Sequence, residues 1–60
     1  MKTGERYIFR FCGKRVIVRI VQILDYGVEC EFLQDCDPAK NGERMICNTA
    51  ALELLREGDN

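Results

Sequence analysis

Tyr7-Ile8-Phe9-Arg10-Phe11-Cys12-Gly13-Lys14-Arg15-Val16-Ile17-Val18-Arg19-Ile20 reads as two alternating β-type runs on either side of a glycine. With Gly13-Lys14 as a two-residue turn, Cys12 opposes Arg15. The pairs outward from there are Phe11/Val16, Arg10/Ile17, Phe9/Val18, Ile8/Arg19 and Tyr7/Ile20. Directly opposed residues share a face of the ribbon. One face therefore carries Tyr7, Phe9, Phe11, Val16, Val18 and Ile20, with no polar group but the Tyr hydroxyl. A slip of one residue would set Arg15, Ile17 and Arg19 against the aromatics and put charge into the buried face, so the register is expected to be well determined.

Beyond Ile20 the same logic gives a second hairpin turning at Tyr26-Gly27, with pairs Asp25/Val28, Leu24/Glu29, Ile23/Cys30, Gln22/Glu31 and Val21/Phe32. Val21, Ile23, Val28, Cys30 and Phe32 then face inward, and Glu29 and Glu31 outward. The inward positions change from even to odd within the run from Val16 to Ile23, which calls for a bulge or sharp bend near Ile20-Val21. Residues 34–43 hold Pro38 and Asn41-Gly42 and read as an exposed loop. A short strand follows from Arg44 to Cys47. Asn48-Thr49 is an N-cap candidate for a helix over Ala50 to Glu57, with Gly58 as its stop; Ala51, Leu52 and Leu55 would cover an open end of the fold.

The two glycine-containing hairpins, the bent middle strand Lys14 to Leu24 and the closing segment Thr49 to Leu55 resemble the SH3-like or Tudor-like small barrel. The resemblance implies a mainly β fold: a small five-stranded SH3-like barrel, or a strongly bent antiparallel sheet, with a short C-terminal helix. Sixty residues support one core, so residues 1–60 are expected to be a single domain. Neither a Tudor-like aromatic cage nor an SH3 peptide groove can be located, because the aromatics are needed inside. Function does not transfer from the superfold alone.

The composition narrows the chemistry. The chain has no His, Ser or Trp, which removes Ser-His-Asp and Cys-His catalysis, His-containing zinc sites and a His pH switch. The cysteines are the only strong nucleophiles, and Cys12, beside Lys14 and Arg15, is the best candidate among them but lacks an orienting base, so a non-enzyme is expected. Cys12, Cys30, Cys36 and Cys47 contain no C-x-x-C pair, against a structural zinc. Free thiols acting as small hydrophobes are expected, with a Cys30–Cys36 or oxidised surface pair as the alternative. Asp35, Asp37, Asn41 and Glu43 lack the spacing of a calcium loop, and there is no glycine-rich phosphate motif. No cofactor, metal or small-molecule substrate is expected. The run Val16 to Leu24 is too short and too interrupted to span a membrane, and Met1 to Arg6 does not read as a secretory signal, which points to a cytoplasmic protein.

The net charge of −1 conceals a segregation. Residues 1–20 set six basic side chains against Glu5 alone, +5, while residues 21–60 carry −6. An electrostatic dipole is expected if the first hairpin occupies one side. Its outward face would present Ile8 and Ile17 among Arg6, Arg10, Arg15 and Arg19, with Lys14 at the turn. That face is a solvated surface, a surface covered by the C-terminal segment, or a partner-binding patch; arginine with apolar groups is frequent interface material. The expected function is a non-catalytic protein–protein interaction module, an adaptor, regulator or inhibitor. Its candidate site is Ile8, Arg10, Lys14, Arg15, Ile17 and Arg19, and its partner an acidic protein surface or a second copy. The alternative is nucleic-acid binding by the basic hairpin. Against it stand the inward aromatics and a pI near 5.3.

Overall fold

The computed structural model describes residues 1–37 and 39–54. Five strands form one antiparallel sheet: β1 (Arg6–Phe11), β2 (Lys14–Leu24), β3 (Gly27–Phe32), β4 (Arg44–Cys47) and β5 (Leu52–Leu54). Their order is β4-β3-β2-β1-β5, so the two hairpins share β2 at the centre and β4 and β5 are the edges. The fold is mainly β, as expected. The sheet is open: among the described residues no pairing joins β4 to β5, and a closed barrel is not formed.

The first hairpin keeps the expected faces but not the expected turn. Phe11 opposes Lys14, Phe9 opposes Val16 and Tyr7 opposes Val18, which makes Cys12-Gly13 the turn instead of Gly13-Lys14. Cys12 and Gly13 both have positive φ, 52° and 77°. Two such residues in succession give the type I′ geometry that matches strand twist, and Gly13 serves best at the second position, where Asn-Gly turns place it. The displacement moves each pairing by two positions and therefore leaves the side chains of Tyr7 to Phe11 and of Arg15 to Ile20 on their expected faces.

The second hairpin turns at Asp25-Tyr26, not Tyr26-Gly27, since Leu24 opposes Gly27. The expected irregularity is present: the register shifts between Ile20 and Gln22, leaving Val21 as the extra residue. Val28, Cys30 and Phe32 are buried as anticipated, whereas Val21 is only half-buried and Ile23 is 51% exposed. The reason lies in β1, whose hydrogen-bonded reach ends where Gly4 N donates to Ile20 O and Ile20 N donates to Glu5 O. Past Ile20, among the described residues, β2 has a pairing strand on the β3 side alone.

The core forms on the concave face over β2. Val16, Val18 and Ile20 are buried with Tyr7, Val28, Cys30 and Phe32, and Phe9, Phe11, Met45, Cys47 and Leu52 pack against them. Phe32 meets Phe9 and Phe11 edge-on, at centroid separations of 6.4 and 5.6 Å, in the arrangement aromatic pairs prefer. Residues 34–43 are not wholly exposed. Cys36 and Ala39 exchange backbone hydrogen bonds of 2.7 and 2.6 Å and are buried against the core, while Asp35 Oδ1 accepts from Asn41 N.

After β4, Asn48 caps as expected, its Oδ1 accepting from Ala50 N at 2.9 Å, but what it caps is a 3-10 turn, Thr49–Ala51. The chain then enters β5 along β1, with Phe9 opposing Leu52 and Ile8 opposing Glu53. The helix expected through Leu54 is therefore absent; its remainder, residues 55–57 with Leu55, lies outside the described residues. Two isolated turns of helix are marginal in water, and the edge of β1 offers a ladder to Leu52–Leu54 instead.

Candidate partner-binding face

The convex face of the sheet is organised in cross-strand rows. Arg6, Arg19, Glu31 and Arg44 form one row across β1, β2, β3 and β4. A second row runs Glu53, Ile8, Ile17 from β5 to β2, and a third is Arg10 opposite Arg15. Ile8 and Ile17 are thus direct cross-strand partners, both half-buried on the side away from the core. Ile17 N donates to Gln34 Oε1 at 3.1 Å, and Ile17 O accepts from Leu33 N at 3.0 Å, so this end of β2 is held where β3 runs out.

The expected site is brought together with one exception. Arg10, Arg15, Ile8, Ile17 and Arg19 share the convex face, but Lys14 opposes Phe11 and falls on the parity of Val16, the other face. The shifted turn is the cause, because it makes Lys14 the first strand residue instead of a turn residue.

The basic hairpin does not stand apart from the acidic remainder of the sequence. Strand order places β5 and β3 on the two flanks of the basic hairpin, and each contributes an acid. Glu53 lies 3.5 Å from Arg10 Nε and 3.7 Å from Arg15 Nη2, bridging two like charges that face each other. Glu31 accepts from Arg19 Nη2 at 2.7 Å. The face as a whole still sets Arg6, Arg10, Arg15, Arg19 and Arg44 against Glu29, Glu31 and Glu53.

Ile46 is the residue the sequence reading missed. It opposes Glu29 on the convex face of β4 and is 52% exposed, while Met45 and Cys47 turn to the core. Period-two alternation in Arg44–Cys47 carried that signal. Of the aromatics, Tyr26, at the β2–β3 turn, is 75% exposed; Tyr7 and Phe32 are buried, and Phe9 and Phe11 pack on them.

Two open clefts, about 220 and 280 Å³, lie at the β2–β3 turn and beside Arg19 and Arg44. Both are below the ~300–1,000 Å³ of small-molecule sites. Among the described residues no group of three or more Cys, Asp and Glu is placed to hold a metal ion, and no helix is long and apolar enough to cross a membrane. Comparison with protein-family models, with curated proteins and with solved structures finds no match for the chain.

Proposed function

We propose that the chain is an open, SH3-like antiparallel sheet acting as a non-catalytic binding module for an acidic protein surface, through the convex face centred on Ile8 and Ile17. The order β5-β1-β2-β3-β4, the bulge in β2 and the 3-10 turn leading into β5 support the fold reading. The observation that carries the functional reading is the Ile8–Ile17 cross-strand pair, apolar on the side away from the core and bordered by Arg6, Arg10, Arg15 and Arg19. An apolar centre ringed by arginine is the composition of an interface hot spot. Burying Ile8 and Ile17 would supply the apolar term, and the arginines charge-assisted bonds to carboxylates.

Capture of partners from the native cell with wild-type protein and with Ile17→Asp tests this. An acidic protein retained by wild type and lost in the variant, while the variant keeps its far-UV spectrum, is the expected result. Capture unaffected by Ile17→Asp overturns it. So does binding of mixed-sequence oligonucleotides that falls steeply with salt and disappears in Arg10→Glu/Arg15→Glu/Arg19→Glu, which transfers the face to nucleic acid. Sedimentation showing concentration-dependent mass would identify a second copy as the partner.

A further inference from the structure

Cys30 and Cys47 sit on neighbouring strands of the concave face, Cys30 opposing Met45 and Cys47 opposing Val28. They are diagonal neighbours, their Sγ atoms 4.0 Å apart, and both are free thiols. Cys30 is fully buried on interior β3, whereas Cys47 is half-buried at the end of β4, a four-residue strand at the edge of the sheet. A disulfide requires about 2.05 Å between sulfurs, so closure needs ~2 Å of approach. The edge strand can supply this, since β4 is paired on the β3 side alone among the described residues. Cys12 and Cys36 are placed differently: Cys12 is exposed in the β1–β2 turn, and Cys36 is buried in the 34–43 segment.

We propose that Cys30 and Cys47 form an oxidisable dithiol, closed by hydroperoxides to an intrachain disulfide that ties the β4 edge to β3. Cys47, the more accessible thiol, reacts first. Its sulfur donates an electron pair to a peroxide oxygen, the O–O bond breaks, and Cys47 becomes a sulfenic acid as one water leaves. Cys30 sulfur then attacks Cys47 sulfur, the S–O bond breaks, and the hydroxyl departs with the Cys30 proton as a second water. The two thiols lose two electrons and hydrogen peroxide is reduced to two waters. Burial pushes the Cys30 thiol up to about 12 and raises Cys47 as well, which makes thiolate scarce and the first step slow. The dithiol is therefore suited to sustained oxidant and not to rapid signalling.

The test treats the native protein with hydrogen peroxide, then alkylates and maps it. The expected product is a monomer lighter by two hydrogens, and cleavage after Glu29, Glu31 and Glu43, which puts Cys30, Cys36 and Cys47 on separate peptides, finds Cys30, and not Cys36, joined to Cys47. Its thermal midpoint should rise and return on reduction. Cys47→Ala should abolish the internal bond. Should that variant not fold, the peptide map of wild type decides alone. Retention of both Cys30 and Cys47 as alkylatable thiols while Cys12 is oxidised overturns the proposal, as does an internal bond mapped to Cys36.

Discussion

Tyr7 joins the sheet to the segment that precedes it. Its ring is buried, and its hydroxyl donates to Glu5 Oε1 at 3.2 Å, an oxygen that also accepts from Lys2 N at 2.7 Å. The amide bond from Lys2 holds the Glu5 carboxyl below its usual range, with the Tyr7 hydroxyl helping. Burial, followed by the charge and the hydrogen bond of Glu5, raises the Tyr7 phenol. A phenol raised in the folded state favours folding below its unfolded pKa of about 10, and that stability is lost as pH rises through the higher folded value. Tyr26→Phe leaves Tyr7 as the one phenol, and tyrosinate absorbance in that variant should appear above the pH at which denatured protein ionises. Adding Glu5→Gln should lower the midpoint. A native midpoint equal to the denatured one would show that the Tyr7–Glu5 contact has no electrostatic consequence.

The β1–β2 hairpin shows what alternation reveals and what it hides. Placing Gly13 first or second in a two-residue turn changes each pairing by two, and both choices put Phe9, Val16 and Val18 inside. The faces were therefore legible in the sequence and the register was not. Choosing between the turns depends on whether Cys12 can adopt positive φ, which it does at 52°. An L-residue there carries strain that Asn tolerates better. Cys12→Asn should accordingly stabilise the protein by about 0.5–1 kcal/mol, seen as a higher denaturant midpoint at unchanged slope. An unchanged or lower midpoint would contradict the turn assignment. The C-terminal segment was ambiguous for a related reason. Leu52-Glu53-Leu54 alternates as a strand should, yet the run Ala50 to Glu57 also reads as a capped amphipathic helix. A strand was selected by the free edge of β1, which no local pattern announces. The candidate face was legible to the same degree: Ile8, Ile17 and the arginines follow from parity, but Glu31 and Glu53 come beside them only through strand order.

Across the whole molecule, a chain of net charge −1 builds a convex face on which arginine outnumbers glutamate, and the distribution matters more than the total. Glu53 is the pivotal acid because Arg10 and Arg15 are directly opposed, and like charges in that position are unfavourable. Its bridge offsets the repulsion, and it also occupies the guanidinium groups that an acidic partner would use. Glu53→Gln separates these roles. Loss of an exposed bridge should cost about 0.2–1 kcal/mol of stability at low ionic strength and less as salt screens the arginines. Affinity for an acidic partner should move the other way and increase, because Arg10 and Arg15 no longer exchange one carboxylate for another. Denaturation at two salt concentrations and titration with a polyglutamate peptide measure the two effects on the same variant. Weaker peptide binding would mean that Glu53 orients the arginines for recognition instead of competing for them. Unchanged binding with lowered stability would leave the bridge a purely structural element and remove Arg10 and Arg15 from the proposed interface.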